Sequence, residues 1–295
     1  MKPTVLIVGD RRKQGVAEAI AGHLPAVEAR LDVVGVDIGQ DVDLSQADVD
    51  LILVFGGDGS ILHVARRLGT NAVPVLGVNY GQFGFLADLE PEDVEEGLDR
   101  WLEGKSTLTE RRRLEVRFLR EGHETGRSLA FNDVVVARRE LGGMVDVDVG
   151  IDGRAAVTYS GDGLIVATAS GSTAHALAAG GPLVEPTTDA VLLVPLAPHA
   201  LSARAVVIRS EHEIQLSVRS ERRPGDVTVD GSAARRLESQ DTVEIRDAHA
   251  PLFLVNVSGH SFYDALRRKL GWRGRSNYGR QGREAWEEQP EPTAP

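Results

Sequence analysis

Apolar residues in the first hundred positions gather into short, nearly unbroken runs. Val5-Leu6-Ile7-Val8 ends at Gly9-Asp10, and Leu31 to Val36 forms a second run. Val49 to Phe55 is a third, apolar except at Asp50, and Val73 to Val78 a fourth. Runs this short, rich in β-branched residues and bounded by glycine, predict buried strands. Between them the spacing turns helical. Val16, Ala19, Ile20 and Leu24 predict a helix over Gly15 to Leu24 closed by Pro25, and Ser60 reads as the N-cap of a helix over Ile61 to Leu68, with Gly69 as its stop. Strands alternating with helices at this spacing imply right-handed β-α-β units and a parallel sheet, whose ligands bind at the carboxyl ends of the strands.

After a helix expected over Pro91 to Leu102 the pattern changes to strict alternation. Leu114 to Phe118, Val145 to Val149 and Ile214 to Val218 have this form, followed by short strands at Asp226 to Val229, Thr242 to Ile245 and Leu252 to Val257. Turn residues recur about every ten positions, as in an antiparallel second domain, with one helix-like interruption at Ser172 to Ala179. The expected fold class is α/β plus all-β: an N-terminal Rossmann-like α/β domain and a C-terminal β-rich, sandwich-like domain. The boundary is placed near Gly104, so that residues 1–104 form the first domain and 105–260 the second. Phe262, Leu266 and Leu270 mark a final amphipathic helix that returns to the first domain, over 261–275, and the proline-bearing tail 276–295 is expected to be disordered.

Composition narrows the chemistry. At 295 residues the chain can bury a full core. A net charge of −11 argues against nucleic acid, which requires a basic face. The absence of cysteine removes disulfides, thiolate nucleophiles and zinc–sulfur sites. The amino-terminal apolar run is too short for a signal sequence, and no run approaches a membrane span, so a cytoplasmic protein without membrane partners is expected. Lysine occurs only at Lys2, Lys13, Lys105 and Lys269, none of them in a GxxxxGK[ST] loop. A phosphate site would have to work without a P-loop lysine.

Candidate chemistry lies in the loops. Gly56-Gly57-Asp58-Gly59-Ser60 follows a buried strand and opens a helix; it is either a tight turn whose acid caps the helix or a phosphate-contacting corner. His63 either faces the same ligand or is an ordinary helical histidine. Gly77 to Leu86 is a second glycine-punctuated loop, suited to close backbone approach to a flat ligand or plugged into the core by Phe83 and Phe85. Asn132-Asp133 interrupts strand-forming residues; it is a turn, or an amide and a carboxylate that read an adenosine. Asp162 to His175 runs from a strand into a Ser/Thr/Gly loop and a helix start, another potential anion site, and it lacks the G-x-S-x-G of a nucleophile elbow. Arg204 offers a possible cation for phosphates, and Asp230-Gly231-Ser232 reads as a plain hairpin turn.

In this order the motifs resemble those of the ATP–NAD kinase family over roughly Val49 to Trp272. They are GGDG, the glycine loop at Gly77 to Leu86, the Asn-acid pair, Asp162 to Ala174, Ala179 to Pro186, Pro198 to Arg204 and Lys269 to Trp272. The resemblance implies a two-domain kinase that moves the γ-phosphoryl of ATP to the 2′-hydroxyl of the adenosine ribose of NAD, giving NADP, with Mg²⁺ as the divalent metal and no protein-held metal cage. It implies Asp58 as the catalytic proton acceptor, with Gly59 and His63 lining the dinucleotide site. Asn132 and Asp133 would contact the adenosine half, and Ser160 and Asp162 the nicotinamide half. Ser170 and Thr173, Ala174, His175, Ala176, Leu177 and Ala178 would wrap the cofactor, in some members with residues of a neighbouring subunit; Ser232 stands where the family often has Gln or Asn. A homo-oligomer, dimer or tetramer, follows from the same resemblance.

The chain departs from the family pattern at several places. Asp133 stands for a usual Glu, Ser60 for Thr, Ala169-Ser170 for Pro-Thr, His175 for Tyr and Ala205 for Pro. These changes bear on donor choice and on NAD against NADH more than on the reaction. The rival readings are another GGDG-type kinase acting on a lipid or small molecule, and a non-catalytic dinucleotide sensor, which would be expected to have lost Asp58.

Overall fold

The computed structural model describes residues 2–81, 84–139, 143–219, 224–232 and 235–271. In chain order the first elements are β1 (Thr4–Val8), α1 (Val16–Arg30), β2 (Asp32–Asp37), β3 (Leu51–Phe55), α2 (Asp58–Arg67), β4 (Val75–Val78), α3 (Val94–Leu102) and β5 (Thr107–Arg111). There follow β6 (Leu114–Arg120), β7 (His123–Ala130), β8 (Asp133–Arg138), β9 (Val145–Ile151), β10 (Arg154–Gly161), β11 (Gly163–Thr168), α4 (His175–Ala178) and β12 (Ala190–Leu196). The remaining elements are β13 (Val206–Arg209), β14 (Ile214–Val218), β15 (Gly225–Val229), β16 (Arg235–Leu237), β17 (Asp241–Asp247), β18 (Leu252–Asn256) and α5 (Phe262–Leu270).

The first sheet has the order β2-β1-β3-β4-β18-β5. Its first five strands are parallel, and only β5 runs antiparallel, against β18. Both faces are covered, which is why β1 and β3 read as continuous apolar runs. Val5, Ile7, Leu51, Leu53 and Phe55 point to one core with Val16, Ile20 and Val27 of α1 and Leu98 of α3. Leu6, Val8, Ile52 and Val54 point to the other, with Ile61, Val64 and Ala65 of α2.

Two antiparallel six-stranded sheets, β10-β9-β14-β17-β6-β7 and β13-β12-β11-β8-β15-β16, pack face to face. Val134 and Val136 of β8 turn into the core between them, while Val135 turns outward with Ile165 and Leu192. The fold is thus an N-terminal α/β layer system followed by an antiparallel β-rich sandwich.

Several elements differ from the sequence expectation. Helix α1 does not close at Pro25 but continues to Arg30, because Val27, fully buried, anchors the segment beyond the proline to the sheet. Helix α2 starts at Asp58, with Gly57 as its N-cap, so Ser60 lies inside the first turn and does not cap it. The helix expected over Ser172 to Ala179 is a 3₁₀ turn at Ser170–Thr173 followed by the four residues of α4. Strand β18, read as part of the antiparallel region, joins the parallel sheet beside β4 and brings β5 with it. Helix α5 carries a capping box in which Ser261 and Asp264 bond each other's backbone N–H, and it ends at Gly271 with φ 61°. Trp272 and the tail 276–295 lie outside the described residues, as does Phe83. Among the described residues no helix is long and apolar enough to cross a membrane.

Candidate active site

Strand β3 delivers the chain to Gly56, whose φ of 155° is a glycine conformation. Helix α2 follows at once, with Asp58 as its first residue. The Asp58 carboxylate turns toward the second glycine loop, where Oδ2 accepts the N–H of Phe85 at 2.8 Å and Oδ1 that of Leu86 at 3.0 Å. A β-carbon on Gly84 would stand 1.9 Å from Asp58 Oδ1, so the carboxylate can lie there only over a glycine. A β-carbon on Gly77 would meet Ile61 of α2 at 2.6 Å. The two glycine loops that the sequence offered separately are therefore one structure, joined through Asp58.

Gly59 is exposed, with open space where a side chain would be. His63, one turn further, lines a cavity of about 170 Å³ with Gly59. Its Nε2 is buried without a hydrogen-bond partner. Burial, reinforced by Arg67 and Arg66, holds its pKa below the usual histidine range and favours the neutral ring.

The Asn132-Asp133 pair is not a turn. It forms a bend leading into β8, and its backbone is gripped by a residue about a hundred positions away. Asp230 accepts the N–H of Phe131 at 2.7 Å on Oδ2, and those of Asn132 at 2.7 Å and Asp133 at 3.0 Å on Oδ1. Its own N–H donates to the Asp133 carbonyl at 2.9 Å. The segment read as a plain hairpin turn is thus the clamp of the site. The sequence carried no distinguishing signal for it, since Asp before Gly is also what a plain hairpin turn shows. On the other side the Asn132 carbonyl accepts the N–H of Thr168, and Thr168 Oγ1 bridges the Phe131 carbonyl and the N–H of Gly171. A β-carbon on Gly171 would lie 2.0 Å from the Asn132 carbonyl oxygen, so this glycine lets the two segments touch.

Asp133 is 5% exposed, and burial, with the Asp230 charge adding to it, pushes its carboxyl up to about 7. Burial raises Asp230 as well, but its three N–H bonds work against that rise. Asp133 is therefore the member of the pair that holds a proton near neutrality. The pair is tied to the glycine corner through Phe131, which shares a core with Ile61, Val64 and Ala65 of α2, and through the Arg66 charge acting on Asp230. Arg113, fully buried, fastens α2 further by donating to the carbonyls of Ala65 at 3.1 Å and Ala250 at 2.6 Å.

Ser170 and Thr173 follow directly on the Asn132–Thr168 contact. Ser170 Oγ is buried without a partner, and its carbonyl accepts Thr173 Oγ1 at 3.1 Å. Ala174 and Leu177 are half-buried and His175 and Ala178 exposed, whereas Ala176 turns into the core and can offer only backbone. Ser232 is half-buried in the turn after Asp230. Ser160 and Asp162 are elsewhere. They sit before β11 while Thr168 ends it, and six residues of strand are about 20 Å long. There Ser160 bonds Asp146 of β9, and Asp162 pairs with Arg138 at 2.7 Å. One chain therefore does not bring Ser160 and Asp162 to Asn132 and Ser170. Arg204 is exposed and donates to the carbonyls of Leu201 and Ala203, bracing its own loop.

Comparison with known proteins shows the family and the fold. The profile of the ATP-NAD kinase N-terminal domain matches residues 19–106, and that of the ATP-NAD kinase C-terminal domain residues 131–257. An NAD kinase of Rhodopirellula baltica is 36% identical over 273 residues, covering 92% of this chain and 88% of its own. One from Acinetobacter baylyi is 42% identical, covering 76% and 73%. Among solved structures, an NAD kinase from Archaeoglobus fulgidus in complex with ATP superposes with a TM-score of 0.72 at 26% identity, over 91% of this chain and 97% of that one. Yeast NADH kinase complexed with NADH has the same fold, with a TM-score of 0.82 at 21% identity over 94% and 90%.

Proposed function

The chain belongs to the ATP-NAD kinase family, and from that premise we propose that it is an NAD kinase, transferring the γ-phosphoryl of ATP to the 2′-hydroxyl of the adenosine ribose of NAD to give NADP. The observation that carries the proposal is Asp58, at the head of α2 with its carboxylate held by two backbone N–H groups. A carboxylate has acceptor sites for about four donors, so the bonds that hold it in place are compatible with its accepting a ribose hydroxyl. The ribose O2′–H donates to it and O2′ attacks the γ-phosphorus. The proton passes to Asp58 as the O2′–P bond forms and the bond to the β–γ bridging oxygen breaks, releasing ADP.

Asn132 and Asp133 hold the adenosine half in this reading, and Gly59 and His63 line the same ligand. Ser170, whose hydroxyl lacks a partner, and the stretch Thr173 to Ala178 wrap it, with Ser232 alongside. Ser160 and Asp162, a strand's length away in their own chain, act on the nicotinamide half of a ligand bound by a second copy, so the enzyme works as a homo-oligomer. Among the described residues no three side chains converge as metal ligands. In this reading Asp58, in the glycine corner, is the carboxylate that would face Mg²⁺ brought by the substrate phosphates. When bound the metal neutralises phosphate charge. The reaction takes place in the cytoplasm.

Purified chain incubated with NAD, ATP and Mg²⁺ should form NADP. No NADP with any nucleoside triphosphate or polyphosphate would overturn the proposal.

A further inference from the structure

The cavity beside α2 lies where the first sheet reverses direction. From β1 the chain passes outward to β2 and then returns across to β3 on the other side, giving the order β2-β1-β3-β4. In open parallel sheets the crevice between the carboxyl ends of two such strands is the place where ligands bind. Here that crevice is lined by Asp10, Arg12 and Lys13, from the turn after β1, and by Gly59, Ser60 and His63 of α2.

The charges in it do not balance. Arg12 grips Asp10 with two bonds, Nε to Oδ1 at 2.9 Å and Nη2 to Oδ2 at 2.8 Å, so the one acid is already matched. Lys13 is half-buried, and among the described residues its hydrogen bond goes to a neutral group, Ser60 Oγ, at 2.6 Å. An ammonium has three protons to donate, and an anionic oxygen is a stronger acceptor than a hydroxyl. Gly56 keeps the arrangement open, because a β-carbon there would stand 2.1 Å from Ser60 Oγ and 3.9 Å from Lys13 Nζ. His63 lines the same cavity, with its Nε2 buried and without a hydrogen-bond partner. An acid already held by Arg12, an ammonium whose hydrogen bond among the described residues goes to a hydroxyl, and Arg66 on the same lining make a receptor for a polyanion.

We propose that Lys13 is the cation of the phosphoryl-donor subsite, held on Ser60 Oγ in the resting chain and transferred to the triphosphate of ATP when the donor binds. This rests on the kinase reading above. The sequence required a phosphate site without a P-loop lysine, and Lys13 supplies the equivalent point charge from the loop after β1, across the switch point from the Gly56–Gly59 corner. The pyrophosphate of the dinucleotide shares the same chemistry, so the test must separate the two.

Full-length Lys13→Gln and Lys13→Arg are titrated calorimetrically with ATP, with inorganic tripolyphosphate and with NAD, beside steady-state kinetics and melting curves. In Lys13→Gln, ATP and tripolyphosphate should bind roughly tenfold or more weakly, the loss expected when a charge-assisted bond is removed. The KM for ATP should rise with it. NAD affinity and melting temperature should stay at wild-type values, and Lys13→Arg should recover most of the loss. Unchanged ATP affinity in Lys13→Gln overturns the inference. Weakened NAD with unchanged ATP assigns the lysine to the dinucleotide and overturns it too. Equal weakening of both ligands with a lower melting temperature reduces the Lys13–Ser60 bond to a structural one. A wild-type chain that binds ATP through Lys13 yet makes no NADP would refute the kinase reading and leave this inference standing.

Discussion

Gly84 and Asp58 are so close that a β-carbon on the first would stand 1.9 Å from the carboxylate oxygen of the second. The position of the proposed proton acceptor is therefore set by a glycine 26 residues away in another loop. Gly84→Ala should displace the carboxylate without altering its chemistry. We expect kcat to fall at least about tenfold, the scale of misplacing a catalytic group. Steady-state kinetics beside NAD titration checks this, and wild-type kcat would mean that Asp58 does not need this position.

Asp58→Asn keeps the shape of the side chain and removes its basicity. The rate of NADP formation should drop by about 10²-fold or more while NAD still binds. The amide can satisfy only one of the Phe85 and Leu86 N–H groups through its oxygen, so a small loss of melting temperature should accompany the loss of rate. A variant near full activity would leave Asp58 as a purely structural acceptor.

Asp230 holds three consecutive backbone N–H groups of the Asn132 segment. Asp230→Ala leaves buried donors unpaired and should cost about 1–3 kcal/mol in urea denaturation. Activity should fall as well, although this residue is not placed against any ligand. If stability is unchanged, the clamp is dispensable.

Asp133 should make stability fall with rising pH. Its carboxyl is raised from 3.8 to about 7 in the fold by burial and by Asp230. Below the lower value it is protonated in both states. Between the two the unfolded chain has released its proton while the folded chain retains it, so unfolding is increasingly favoured up to about pH 7. Asp133→Asn should remove this component. Across that window its melting temperature should decline less than the wild-type's, with the largest advantage to the variant above pH 7. Parallel curves for the two proteins would show that Asp133 ionises normally.

A site completed by a second copy has a signature in mixtures. Asp58→Asn and Asp162→Asn chains, each impaired alone, should regain activity when unfolded and refolded together. For a random dimer with one intact site in each mixed pair, recovery should reach at most about a quarter of the wild-type rate. No recovery would mean that Ser160 and Asp162 do not act across chains.

The local grammar of the chain determined a good deal. The apolar runs of β1 and β3, the glycines at 56, 57 and 59, and the helical spacing after them are properties of neighbouring residues, and each states its own conformation. The same holds for the alternation in β6, β9 and β14, where one face is buried and the other is not. The edge strand β7 carried no such pattern, because an edge exposed to water imposes little hydrophobic period. Nor could the apolar run of β18 reveal which sheet it would join, since burial asks only for a partner and not for a particular one.

The site itself was legible as a set of suspects and not as an arrangement. That Asp58 would rest on the second glycine loop, that Asp230 would anchor Asn132, and that Lys13 would meet Ser60 depend on hydrogen bonds spanning 27, 98 and 47 positions. Sequence spacing carries no information about contacts of that kind, because they form only after separate strands and helices have packed. Composition and pattern decided which elements form; the order of the strands and the close approach of glycine backbones decided which side chains meet.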